Sequence, residues 1–293
     1  MPTYTLVITP EMEGKPVRRA AMGGIGLSSG QFKRAKFHGE IRLDGERVTA
    51  DVLIRAGQTL SVFVPEVENT LPEPADIPFD ILYEDEYFWI INKPAPLPTA
   101  SSVKQDGFTL ENALFYRLGC PQDFVYRPVN RLDKGTSGLM LAARTAHAQH
   151  LLQQMLHGDE FIREYVALVE GAPEEDEFVI DRPIGKADGA TVRREVRPDG
   201  KPARTFCRVL QRGERSLVRL RLDTGRTHQI RVHMQSIGCP VVGDFLYGTE
   251  DPALPGRFAL HSAYVRVKHP ITGEWIEREA KPPFGLCFAQ EGE

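Results

Sequence analysis

The chain has 293 residues, 41% hydrophobic and 26% charged, which excludes a disordered chain and suits one large domain with a small companion. Its four cysteines are far apart with no Cys-x-x-Cys pair, so neither a zinc knuckle nor a redox pair is written in, and reduced thiols are expected. The net charge of −4 excludes a uniformly basic nucleic-acid binder. No run approaches the roughly 18 apolar residues of a membrane span. The N-terminus lacks a basic segment followed by an apolar run, so a cytoplasmic protein is expected.

The charge is unevenly spread. Residues 15 to 55 hold nine Lys and Arg against four acids, and residues 186 to 231 hold thirteen against five. Two basic islands in an acidic chain point to local phosphate contacts, although Arg-rich solvated strands have the same composition.

In chain order, TYTLVIT predicts a first strand. Ser28 or Ser29 is placed to cap a short helix carrying Lys33, Arg34 and Lys36. IRLDGERV then reads as two short strands around an Asp-Gly turn, and TLSVFV as a further strand. Residues 1–66 resemble the alpha-L RNA-binding module shared by a small-subunit ribosomal protein and several RNA-modifying enzymes. The resemblance implies RNA contacts by Arg18, Arg19, Lys33, Arg34 and Lys36. Residues 67–79 gather prolines and acids as a linker, and residues 80–293 form the main domain.

In that domain DILYEDEYFWIINKP predicts two strands around an acidic turn. Two helices are marked. In TAHAQHLLQQMLHG, Thr145 is the N-cap, Ala148, Leu151, Leu152 and Met155 form the apolar stripe, and Gly158 is the left-handed stop. In THQIRVHMQSIG the cap is Thr227, the stripe Ile230, Met234 and Ile237, and the stop Gly238. Strands FIREYVALVEG, SLVRLRLD and FALHSAYVRVKHPITGEWIERE complete a mixed, largely antiparallel α+β sheet.

Three segments hold candidate chemistry. Asn130-Arg131-Leu132-Asp133 places a carboxylate beside basic residues, and in an extended stretch Arg131 shares its face and would hold Asp133 ionised. In Leu222 to Met234, backbone N–H groups at the helix start and Arg226 offer an anion site for an RNA phosphate. There His228 and Arg231, at i and i+3, share a helical face, whereas His228 and His233 do not, which argues against a metal pair. Tyr165, alternating with Arg163 and Ala167 on one strand face, offers a ring for a base to stack on.

Together these segments resemble the RluA-type family of RNA pseudouridine synthases. The signature H-R-L-D-x-x-T-S-G stands here as Asn130 to Gly138, departing only at Asn130. Asn92-Lys93-Pro94, Arg163-Glu164-Tyr165, Thr224 to Met234, Gly243-Asp244-x-x-Tyr247-Gly248 and Leu260-His261 match as well. The resemblance implies a pseudouridine synthase fold in which Asp133 is the catalytic Asp, Tyr165 stacks on the base and Arg231 pairs with the Asp. Arg131, Arg226, His228, Gln229 and Leu260 would bind substrate, with Leu260 lining the uracil pocket. The reaction would isomerise a uridine of structured RNA, ribosomal RNA ahead of transfer RNA, by a monomer with no cofactor and no metal. A carboxylate serves it by attacking C1′ or by removing the C2′ proton. Flipping the nucleotide costs a few kcal/mol, least in a loop. Asn130 is expected to change a hydrogen bond, and the loop Ala95 to Ser101 departs from the family text. Two other classes compete: a non-catalytic RNA-binding ribosome-assembly factor, and a glycoside hydrolase using two of Asp133, Asp223 and Asp244.

Overall fold

A computed structural model describes residues 3–65, 71–101 and 107–284. Strand β1 (Thr3–Val7) leads to helices α1 (Val17–Gly23) and α2 (Ser29–His38), then to strands β2 (Glu40–Leu43), β3 (Glu46–Arg47) and β4 (Thr59–Phe63). Ser28 caps α2 through a capping box: its hydroxyl accepts from Gln31 N–H, and the Gln31 side chain accepts from Ser28 N–H. The expected Asp-Gly hairpin joins β2 to β3, with Asp44 at φ 51 and Gly45 at φ 86. The sheet order β1-β4-β2-β3 lets its alternating apolar residues close a core with the two helices through Val17, Phe32, Ile41, Leu60 and Val62.

Residues 71–79 carry no helix or strand, and positions 67–70 of the expected linker lie outside the described residues, as does Cys287. The main domain then runs β5 (Asp80–Glu84), β6 (Phe88–Lys93), α3 (Leu110–Arg117), β7 (Ser137–Ala143), α4 (Ala146–Met155) and β8 (Phe161–Glu170). It continues with β9 (Glu177–Asp181), β10 (Ile184–Lys186), β11 (Arg194–Val196), β12 (Arg204–Gln211), β13 (Arg215–Leu222), α5 (Gln229–Ser236), β14 (Leu260–Lys268) and β15 (Trp275–Glu279). Nine strands form one mixed sheet in the order β5-β6-β7-β14-β8-β13-β12-β9, with β15 also on β14, and among these pairs only β7 with β14 is parallel. The α+β architecture expected from the strand-rich text is therefore present.

That parallel contact depends on a glycine. Gly138 has φ 105 and sits against the Ser262 backbone, where a Cβ would collide. It brings the start of β7, and the loop before it, against the start of β14. Ser137 and His261, paired in register there, are joined by a 2.8 Å hydrogen bond.

Three local expectations differ. Helix α3 was not foreseen, because its stripe is short; its start is marked by Thr109, whose N–H and hydroxyl both donate to Asn112 Oδ1. Thr145 does cap α4, accepting from Ala148 N–H at 3.1 Å, but Gly158 is not left-handed and Leu156 closes the helix in the right-handed region. For α5 the cap is not Thr227: His228 stands at the N-cap with φ 59, and the Gln229 side chain accepts from Arg226 N–H. Gly238, at φ 79, is the stop expected there. Among the described residues no helix is long and apolar enough to cross a membrane.

Candidate active site

Ile230 and Met234 anchor α5 in the main core, each burial stabilising by about 1.5–3 kcal/mol, and this fixes where the polar side chains of the same helix point. Arg231 is 3% exposed. Its Nε and Nη2 donate to the two carboxylate oxygens of Asp244 at 2.6 and 2.8 Å, and its Nη1 donates to Asp133 Oδ2 at 3.0 Å. The guanidinium also lies over two rings, 4.2 Å from the Phe258 centroid and 4.9 Å from that of Tyr247. Burial works against its charge, but the hydrogen bonds it donates to Asp244 and the charge of Asp133 raise its pKa above the ordinary arginine value.

Asp133 stands where the chain turns from an irregular stretch into β7, with Thr136 N–H closing the turn on its carbonyl. Its side chain is 30% exposed while that of Asp244 is fully buried. One carboxylate therefore serves as a buried anchor, and the other reaches the cleft. Gly135 makes room in this turn for the Phe258 ring, which a Cβ would strike.

The turn is stitched to the loop after β6. Thr99 Oγ1 donates to Leu132 O at 2.8 Å and accepts from Leu132 N–H at 3.2 Å, and Leu97 N–H donates to Lys134 O at 3.0 Å. Lys93, fully buried, donates to the carbonyls of Pro94 and Leu97, and burial pushes its ammonium pKa down to about 7 against the pull of Asp133. The loop that departs from the family text is thus a brace for the Asp133 turn.

Asp133 opens into a cleft of about 820 Å³. One wall holds Tyr165 on β8, 5% exposed, and Leu260 at the head of β14. Cross-strand register pairs Tyr165 with Ser262 and Ala167 with Leu260, so both cleft side chains leave the same sheet face. His228, Arg131, Arg226 and Arg194 also line the cleft.

Several expectations need correcting. Arg131 is exposed and makes no ion pair among the described residues; the basic partner of Asp133 comes from α5, 98 residues away, as the family resemblance implied for Arg231. Gln229 does line the cleft, but it is 3% exposed and its amide is spent inside the protein, accepting from Thr224 Oγ1 and Arg226 N–H and donating to Arg204 O and Thr205 Oγ1. Those four hydrogen bonds brace the loop. One of them occupies Arg226 N–H, and Arg226 Nε donates to Pro202 O, so these two groups of the expected anion site are used inside the protein. Much of the second basic island is also neutralised, since Arg197, Arg204, Arg208, Arg212, Arg215 and Arg219 each face a carboxylate. Asn130, the departure from the signature, has Oδ1 accepting from Leu141 N–H at 2.9 Å and a buried Nδ2 without a partner.

Two residues were missed in role, although their motif was noted. Asp244 orients Arg231, and the Tyr247 hydroxyl contacts His228 Nδ1 at 2.8 Å. Spacing within Gly243-Asp244-x-x-Tyr247-Gly248 gives no hint of either, because both contacts cross to α5.

The profile of the RNA pseudouridylate synthase family matches residues 87–236, which include the Asp133 turn, Tyr165 and Arg231. An uncharacterized RNA pseudouridine synthase of Bacillus subtilis, YjbO, is 36% identical over 92% of this chain and 97% of its own length. Ribosomal large subunit pseudouridine synthase D of Xanthomonas campestris is 38% identical over 85% of this chain and 79% of its own. Among solved structures, Human RNA Pseudouridylate Synthase Domain Containing 1 superposes with a TM-score of 0.59 at 27% identity, covering 73% of this chain and 87% of that one. With the profile spanning half of the sequence and relatives matching nearly end to end, the chain belongs to the RNA pseudouridine synthase family and is an isomerase that converts uridine in RNA to pseudouridine.

Proposed function

We propose that Asp133 is the catalytic carboxylate, acting on an unpaired uridine of ribosomal RNA in the cytoplasm. The observation that carries this reading is the 3.0 Å hydrogen bond from buried Arg231 to Asp133 at a cleft walled by Tyr165 and Leu260. The relatives named for the large ribosomal subunit support the choice of RNA.

The isomerisation breaks the C1′–N1 bond, with the electron pair leaving on the base, and forms a C1′–C5 bond. The proton lost from C5 is balanced by one gained at N1. An ionised carboxylate serves both routes, by adding to C1′ or by taking the C2′ proton. Arg231 holds that carboxylate in place, Tyr165 offers a stacking face worth about 1–3 kcal/mol, and Leu260 fills the pocket edge. Outside the cleft, Arg18, Arg19, Lys33, Arg34 and Lys36 of residues 1–66 have no carboxylate within ion-pair distance among the described residues, and this supports their use on phosphates.

Pseudouridine mapping across total RNA, with and without the protein, tests target and activity together. The expected result is one or a few ribosomal uridines that stay unmodified without it. Asp133→Asn is expected to leave them unmodified while RNA binding persists. Full conversion by that variant would refute the assignment.

A further inference from the structure

We propose that Tyr247 is a positioning residue that holds the proton of His228 on Nε2, so that His228 presents a hydrogen-bond donor to the nucleotide beside Asp133. The inference rests on the function proposed above and adds a role for two residues of the same site.

The direction of the hydrogen bonds leads to it. Arg194 backbone N–H donates to the Tyr247 hydroxyl oxygen at 2.8 Å, and an amide N–H cannot accept. The Tyr247 proton is therefore free to go to its other neighbour, His228 Nδ1, also at 2.8 Å. A ring that accepts at Nδ1 carries its single proton on Nε2. Burial, opposed by the charge of Asp133, lowers the His228 pKa below the usual histidine value, which favours this singly protonated ring.

Nε2 lies 3.9 Å from Asp133 Oδ2, too far for a hydrogen bond, and His228 faces the cleft. The N–H thus points at the space over the carboxylate, where an oxygen of the ribose or of the uracil fits. As the C1′–N1 bond breaks, negative charge spreads onto the departing base, and a fixed donor there stabilises it more than the ground state. Tyr247 itself stays outside the reacting atoms. Its ring meets His228 edge-on at 5.6 Å, and its hydroxyl ties the ring to the backbone of β11 at the cleft mouth. Phenylalanine at 247 would keep the face under Arg231 and lose only the hydroxyl.

Two measurements test this. In 15N-histidine NMR of the free protein, wild type should show His228 protonated on Nε2, and Tyr247→Phe should mix the two tautomers. A wild-type proton on Nδ1 overturns the proposal. Single-turnover pseudouridine formation is then followed on RNA from cells lacking the enzyme. Tyr247→Phe should slow it about 10-fold and His228→Ala about 100-fold, with RNA affinity little changed. The double variant should be no slower than His228→Ala, because Tyr247 acts through His228. A Tyr247→Phe rate equal to wild type, or a full further loss in the double variant, overturns the proposal. Failure of the wild type to form pseudouridine would instead reject the function, and the NMR experiment, which needs no RNA, would still decide the tautomer.

Discussion

Replacing Asp244 by alanine separates the anchor of the site from the carboxylate proposed to react, Asp133. The variant loses two charge-assisted hydrogen bonds to Arg231, at 2.6 and 2.8 Å, and the acceptor for Leu246 and Tyr247 N–H groups. Arg231 remains, 3% exposed, with only the partly exposed Asp133 for a counter-charge. Breaking a buried pair by removing one partner costs about 3–5 kcal/mol. Unfolding entropy of about 2.1 cal/mol/K per residue gives roughly 0.6 kcal/mol/K for a chain of 293 residues, so Tm should fall by about 5–8 °C. The rate of pseudouridine formation should drop on the order of 100-fold, because a guanidinium free to shift by about an ångström no longer holds Asp133 in place. Asp133→Asn reverses the pattern. Its side chain is 30% exposed, and such pairs contribute about 0–1 kcal/mol, so Tm should move by less than about 2 °C while activity is lost. Scanning calorimetry and single-turnover assays on both variants provide the check. A Tm for Asp244→Ala within 1 °C of wild type, on the order of measurement error, or a larger fall for Asp133→Asn, would refute the division of labour.

Two further outcomes are expected. His261 is buried, accepting from Ser137 and donating to Ala280 O, and burial holds its pKa down to about 4 from 6.5. The unfolded chain then takes up this proton first, so stability is complete above about pH 6.5 and falls by roughly 3 kcal/mol as pH drops towards 4. Urea denaturation at neutral and mildly acid pH should show this loss shrinking in His261→Gln, and an equal loss in that variant would exclude His261 as its source. For the N-terminal basic residues, Lys33→Ala with Arg34→Ala and Lys36→Ala should lower the slope of log K against log salt by up to about 0.9 per phosphate contact removed. Filter-binding titrations with an unchanged slope would place the RNA elsewhere.

Much of this protein is legible in its sequence where the physics is local. The Asp44-Gly45 hairpin follows because those two residues tolerate positive φ, and α2 and α4 begin where Ser28 and Thr145 supply acceptors to neighbouring N–H groups. The signature around Asp133 pointed to the family by its text alone, while the reason for its glycines lies far along the chain, at the Phe258 ring and the Ser262 backbone. Long-range partners were another matter. Arg131 is two residues from Asp133 but exposed, while Arg231 is delivered by a helix whose apolar side is pinned in the core. Gln229 turned inward because its amide satisfies four groups of the loop and strand around it, and Asp244 and Tyr247 gained their roles by meeting α5 from a later loop. Adjacent residues determine turns and caps because these need only the nearest N–H and C=O groups. Which charge neutralises which is decided by packing, because electrostatic partners are chosen by distance and burial in three dimensions.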